Sequence, residues 1–382
     1  MKVDSEGDPL VLENEASTAG GIDWHTHETE WSRRPRVNKT IHAVSFRAHG
    51  GKLLKRNGLG VLKAVEIMKL KGKASSYCYN DPVVLQIENT NVCNLSCEFC
   101  PRHRDKKYIP KEMGIDEFRE MLDPWIDSVF SIHLFGRGEP LVGKHIFEMI
   151  DHAAGRGVPH VSITSNGFLL TRERARELSR SRLSELRISV DGATPETFRK
   201  LRQDDLGKLM ENVRYFTSIS EIPVSLNFAL NAVNWDEIKM MPGLVKALGG
   251  NALRVFPVNT YDEAIEDDMG LGRDKQRQYG AIGREVEAIC KEQGLQFIMD
   301  KEVVSECVIP FVMAFINVDG MLTPCCKLEE IPLEDVKAEG FRKAWNGPRM
   351  RAFRDALITK NYPTPCTKIQ CIRDFRPQPG EA

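Results

Sequence analysis

No stretch of the 382 residues approaches the run of roughly 18 apolar residues that crosses a bilayer, so no membrane-spanning helix is expected. Neither sign of charge is in excess. Lys and Arg total 53 against 54 Asp and Glu, a net charge of −1, so the overall field does not draw nucleic acid and no such partner is expected. The opening segment MKVDSEGDPLVLENEAS is acidic and has no apolar signal core, which argues against secretion and for a cytoplasmic location. Cysteine is sparse, 10 in the whole chain. In a reducing compartment, clustered cysteines point to metal or redox chemistry rather than disulfides.

What is present has the proportions of a soluble globular protein, 41% hydrophobic and 28% charged, with room for one large α/β domain and an accessory module. Residues 1 to about 40 are polar and irregular, the composition of a loose arm. His25 and His27 sit there without a third ligand nearby, so they read as solvated rather than as a metal site. Between Gly51 and Ala74, Val61, Leu62, Val65 and Met68 recur at helical spacing among lysines. Such a basic amphipathic helix can lie on an anionic surface. It more often packs its apolar stripe on a neighbouring domain, so peripheral membrane contact is not favoured.

From Asp81 the texture changes. Strand-like runs at 83–88, 128–136, 160–164, 185–190, 224–230 and 253–258 alternate with helical ones. That alternation predicts an α/β chain with a parallel sheet and crossover helices. Six strands fall short of the eight of a full barrel, so a partial (β/α)6 TIM-type barrel is expected, with its site in the loops after the strands. A charged helical linker follows. In FVMAFINVDGMLTPCC, Asp319-Gly320 between two apolar runs signals a hairpin. The expected division is an arm and helix over 1–80, the partial barrel over 81–262, a linker over 263–300 and a small C-terminal module over 301–382.

The stretch CNLSCEFC places Cys93, Cys97 and Cys100 directly after the first strand. Structural zinc takes four ligands, so three thiolates on one loop do not close a zinc site without a distant fourth. On a 4Fe–4S cluster, three thiolates leave one iron open.

C-x3-C-x2-C after the first strand of a βα series resembles the radical S-adenosylmethionine (radical SAM) enzymes. Further landmarks come in that family's order. Phe99 precedes the third cysteine, where the resemblance implies an aromatic residue near the adenine. GRGEP after the second strand is similar to the family's Gly-Gly-Glu-Pro loop, with Arg137 replacing one glycine; Gly138 and Glu139 are then implied to face the methionine amino group. TSNG brings Ser165 and Asn166 to the barrel mouth, and SVDG brings Ser189 and Asp191 toward the methionine or ribose. Arg202 is a candidate partner for the SAM carboxylate, which a guanidinium grips in bidentate fashion. The resemblance spans roughly residues 83–260. It implies a SAM-binding 4Fe–4S cluster, SAM itself, and a one-electron reductant such as flavodoxin or ferredoxin. It also implies reductive cleavage of SAM to a 5′-deoxyadenosyl radical that abstracts hydrogen.

Cys307, Cys325, Cys326, Cys366 and Cys371 form a second set. With the Trp-containing run KAWNGPRMRAFRDAL, they resemble the SPASM/twitch extension that binds auxiliary iron–sulfur clusters. Five cysteines support one auxiliary 4Fe–4S cluster, implied to be held by Cys307, Cys325, Cys366 and Cys371, while a zinc site with four cysteine ligands uses the same count. Cys326 would point away from its neighbour if the strand persists there. Cys78 and Cys290 stand alone and read as structural.

The expected activity is a radical SAM oxidoreductase acting on a small molecule such as a sugar, cyclitol or lipid head group, the auxiliary cluster accepting the substrate electron. Two alternatives stand beside it: a ribosomal-peptide maturase, and a non-catalytic iron–sulfur sensor or electron carrier. No catalytic side chain is assigned. His133 and Arg254 are candidates to project into the barrel and are equally compatible with structural roles.

Overall fold

The computed structural model describes residues 75–78, 81–104, 109–126, 128–258, 269–299, 307, 309–328, 331–364 and 366. The N-terminal arm with His25 and His27, the amphipathic helix over 51–74, part of the linker, and Cys371 lie outside the described residues.

Alternation drives the barrel. In Ser131-Ile132-His133-Leu134 the isoleucine and leucine are buried on one face, and the serine and histidine hydrogen-bond on the other to His160 and Ser162 of the next strand. All six expected strands form, as β1 (Val84–Ile87), β2 (Ser131–Leu134), β3 (His160–Ser165), β4 (Glu185–Ser189), β5 (Val224–Leu230) and β6 (Ala252–Pro257). They pair in parallel and in sequence order. Crossovers are made by α1 (Ile115–Leu122), α2 (Ile146–Gly155), α3 (Arg172–Arg180), α4 (Pro195–Arg202), α5 (Leu206–Ile219) and α6 (Met241–Ala247). Their apolar stripes pack on the sheet's outer face, with Leu178, Phe198, Leu209, Val213 and Phe216 excluded from solvent.

The sheet continues past those six strands. After α7 (Arg273–Glu292), β7 (Gln296–Met299) adds in parallel to β6. At the opposite edge β8 (Met313–Ile316) adds in parallel to β1 and turns back into β9 (Met321–Thr323), which meets β10 (Glu334–Asp335). Gly320, at φ +83°, makes the turn of the expected hairpin. The C-terminal segment is therefore hydrogen-bonded into the barrel sheet. The strand ends at Thr323, and Cys326 begins a 3-10 turn over Cys326–Leu328. The premise that a continuing strand turns Cys326 away from Cys325 does not hold.

Arg354 of α8 (Pro348–Ile358) is fully buried, donates to the Pro310 carbonyl at 2.7 Å, and lies 4.2 Å from the Trp345 ring centroid. Asn346 brackets Cys78, accepting from its N–H and donating to its carbonyl, both at 2.8 Å. These contacts fasten residues 75–78 to the C-terminal module. Burial pushes the thiol of Cys78 up to about 11 and that of Cys290 up to about 12, which suits the structural roles expected of them. Among the described residues no helix is long and apolar enough to cross a membrane.

The concave face is polar. Ser131 bonds His160 at 2.8 Å and His133 bonds Ser162 at 2.6 Å. Arg187 donates to Glu185 from Nε at 3.0 Å and Nη2 at 2.8 Å, Ser225 donates to the same carboxylate, and Arg254 lies 4.0 Å away. His133 and Arg254 thus lie on the same face of the sheet as this polar network.

Candidate active site

The chain leaves β1 through Glu88-Asn89-Thr90-Asn91 and enters the cysteine loop. Asn91 shapes this exit, accepting from the Lys111 N–H at 2.7 Å and donating to the Ile109 carbonyl at 2.9 Å. Cys97 is buried, while Cys93 and Cys100 are half-buried. Among the described residues no three His, Cys, Asp or Glu side chains converge to hold a single metal ion. A cluster spreads its thiolates wider than one ion does, so three thiols on one short loop suit the cluster. Burial pushes the Cys93 thiol up, with the nearby Glu139 adding to it. A thiol of this kind becomes a thiolate when a metal binds it.

The loop after β2 approaches from the side. Gly138 packs so closely that a Cβ there would lie 2.1 Å from the Thr90 carbonyl oxygen, and the Glu139 N–H donates to the Val92 carbonyl at 2.9 Å. Glu139 is buried. Its Oε1 accepts from Ser165 Oγ at 2.7 Å and from the Leu141 N–H at 3.1 Å, and its Oε2 from the Asn166 N–H at 2.7 Å. Burial pushes this carboxyl up against those three donors. Asn166 Nδ2 lies 3.8 Å from Cys93 Sγ and donates to Asn94 Oδ1 at 2.9 Å.

From the far side come β4 and α4. Thr194 caps α4, Pro195 takes its first turn, and Gln203 ends it in the left-handed region at φ 59°. The helix therefore stops against the cysteine loop, where the Glu98 N–H donates to the Leu201 carbonyl at 3.0 Å. Arg202 Nη1 lies 3.7 Å from Cys97 Sγ, its guanidinium sits 5.6 Å over the Phe99 ring, and Nη2 is ion-paired with Asp191. Asp191 also accepts from the Ala229 N–H at 2.8 Å, and Asn234 donates to its carbonyl at 3.0 Å. Burial pushes Asp191 up, opposed first by Arg202, whose own pKa Asp191 in turn raises despite burial. Ser189 ends β4 on the concave face, in register with Asn227 of β5.

Phe99, Glu139, Ser165, Asn166, Asp191 and Arg202 thus gather around the cysteine loop, with Gly138 and Ser189 at the margins. Arg202 was expected to meet a ligand carboxylate; here two of its nitrogens face Asp191 and Cys97. Its Nε is buried without an acceptor, a donor left for such a ligand. Sequence reasoning passed over Asn94, Asn234 and Glu88, since no motif marks them. The only signal available for Glu88 was an acidic residue at an inward position of a strand. In the C-terminal module Cys307, Cys325 and Cys326 are half-buried and Cys366 is buried.

Comparison with known proteins agrees with this geometry. A model of the Radical SAM superfamily matches residues 87–241, and one described as an iron-sulfur cluster-binding domain, SPASM, matches residues 307–372. A Saccharolobus islandicus protein named probable GTP 3′,8-cyclase is 24% identical over 295 residues, covering 68% of this chain and 92% of that relative. A Methanocaldococcus jannaschii protein of the same name is 29% identical over 168 residues, 42% of this chain and 53% of the relative. The crystal structure of Streptococcus suis SuiB bound to S-adenosylmethionine shares the fold, with a TM-score of 0.62 at 15% identity, covering 87% of this chain and 84% of that one. The cofactors these domains imply are a SAM-binding 4Fe–4S cluster, SAM and auxiliary iron–sulfur binding. Residues 87–241 thus match the Radical SAM superfamily and residues 307–372 a SPASM iron–sulfur cluster-binding domain, so the chain carries a radical SAM domain followed by a SPASM module.

Proposed function

We propose that this chain is a radical SAM oxidoreductase that takes hydrogen from a small polar substrate such as a sugar, cyclitol or lipid head group. The carrying observation is the convergence on one three-cysteine loop of Glu139, anchored to Ser165 and Asn166, and Arg202, anchored to Asp191. When bound, the reduced cluster and SAM together supply a 5′-deoxyadenosyl radical able to abstract hydrogen from an unactivated C–H bond. Cys93, Cys97 and Cys100 would hold the cluster, and three protein thiolates would leave one iron for SAM.

The protein's own groups do the orienting. Gly138 and Glu139 face the methionine amino group, with Glu139 fixed in place by its three donors. Arg202 turns a buried N–H toward the carboxylate, and Asp191 keeps that guanidinium from swinging away. Ser189 lies beside the ribose, and Phe99 offers its ring to the adenine. The polar face of the sheet receives a substrate rich in hydrogen-bonding groups. Cys307, Cys325, Cys366 and Cys371 would hold an auxiliary cluster, which would supply an acceptor for the substrate's electron, and a flavodoxin or ferredoxin would supply the reducing one.

A peptide substrate is the second reading, favoured by the likeness of fold to SuiB, which has also been crystallised bound to the precursor peptide SuiA. Deuterium transfer separates the two. Perdeuterated inositol, deuterated GTP and a deuterated synthetic peptide are each incubated anaerobically with the reconstituted chain, SAM and dithionite. Deuterium in 5′-deoxyadenosine from either small molecule supports the first reading. Transfer from the peptide alone overturns it.

A further inference from the structure

Glu88 follows directly on β1 and is 2% exposed. Its two oxygens serve two different segments. Oε1 accepts from the Arg137 N–H at 2.7 Å, and Oε2 from the Val318 N–H at 3.0 Å. Arg137 leads into Gly138-Glu139 of the SAM-facing loop. Val318 opens the hairpin turn that runs through β9 to Cys325. The Glu88 N–H donates in turn to the Ile316 carbonyl at 2.9 Å.

The fit is close on the loop side, where a Cβ on Gly136 would come within 2.5 Å of Glu88 Oε1. The hairpin turn is tied down a second time. Asp319 pairs with Lys111 at 2.8 Å, and the Lys111 carbonyl accepts from Thr90 Oγ1 at 3.0 Å, three residues before Cys93. A buried carboxylate with two N–H donors forms strong, directional bonds, and losing it would strand both donors away from water.

We propose that Glu88 is a positioning residue, one carboxylate that holds the loop carrying Gly138 and Glu139 and the hairpin leading to Cys325 in fixed relation. What the two segments hold rests on the radical SAM reading above; the clamp itself does not. Glu139 serves the loop from within, whereas Glu88 sets where that loop sits relative to the auxiliary module. A residue that merely filled space would affect one segment or neither.

The experiment is hydrogen exchange by mass spectrometry on the full, reconstituted chain, joined to the KM for SAM in 5′-deoxyadenosine release. In Glu88→Met the side chain keeps its length and loses both acceptors. Peptides over 135–139 and over 316–320 then both exchange faster, while β3 to β5 are unchanged. The KM rises about tenfold, the low end for losing a charge-assisted hydrogen bond. Gly136→Ala displaces the same carboxylate from the loop side and leaves Glu88 in place, so it reproduces both effects without depending on the folding of the first variant. Because the two changes break one contact, the double variant is no worse than the poorer single. Faster exchange in only one segment or in neither, or additive effects in the double variant, overturns the proposal. If the wild-type chain releases no 5′-deoxyadenosine, the enzyme reading fails, and the exchange comparison still decides the clamp.

Discussion

Ser165 Oγ donates to Glu139 Oε1 at 2.7 Å, tying the end of β3 to the loop after β2. With the N–H groups of Leu141 and Asn166 on the same carboxylate, the loop is fixed before any ligand arrives. Glu139→Gln keeps the volume and loses acceptor capacity. It is expected to weaken SAM binding by about tenfold and to cost about 1–3 kcal/mol of stability, read by calorimetry and denaturant unfolding. Glu139→Ala is worse in both respects, and Ser165→Ala is milder than either.

The Asp191–Arg202 pair lies almost wholly out of solvent, with side-chain exposures of 1% and 12%. Removing one partner leaves a buried charge, so Asp191→Asn is expected to destabilise the chain by about 3–5 kcal/mol in urea unfolding. The double variant Asp191→Asn/Arg202→Met recovers part of that loss and still fails to bind SAM tightly. Full recovery of SAM binding would separate Arg202 from the ligand.

Gly138 meets the Thr90 carbonyl, and a Cβ there would stand 2.1 Å from that oxygen. Backbone cannot yield as a side-chain end can. Gly138→Ala therefore costs about 1–3 kcal/mol and displaces the loop from the cysteines. Gly157→Ala is a fair comparison for strain alone, since its φ is +92° and nothing lies within 4 Å of a Cβ there.

Acid acts on the concave face in a definite direction. Burial holds His160 below its ordinary value of 6.5, against the pull of Glu185. Below pH 6.5 the unfolded chain takes up the proton before the folded one, so this histidine withdraws stability as pH falls. Glu185 acts in the same sense below 4.5. Burial alone would push it up, but Arg187, His160 and Arg254 hold it well below that value. Glu139 and Asp191 are raised and act oppositely, losing stability as pH rises through their windows. His160→Gln is expected to flatten the fall in melting temperature between pH 6.5 and 5 while leaving the other contributions in place. An unchanged slope would show that His160 does not drive it.

Much of this was legible in the sequence because local pattern and global fold agree. Strand-like runs at 128–136 and 224–230 marked β2 and β5, and Asp319-Gly320 marked the hairpin. The cysteine spacing marked the site. Pairings between distant segments were not legible. QFIM carries no clean alternation, so β7 was missed, and nothing in MAFI says that it will lie beside β1 rather than in a separate module. Asp191 and Arg202 were each singled out for a ligand, yet that they would bind one another depends on where α4 stops. Glu88 looked like any strand residue, because its partners are backbone N–H groups from residues 137 and 318.

The most direct measurement is 5′-deoxyadenosine released from SAM by the anaerobically reconstituted, reduced chain, together with its iron content. The wild-type chain is expected to release it. Replacing Cys93, Cys97 or Cys100 with alanine abolishes release and lowers iron from about eight to about four per chain, the auxiliary cluster remaining. Release that persists in any of these variants, or none from a wild-type chain carrying both clusters, would contradict the assignment of the open iron to the CNLSCEFC loop.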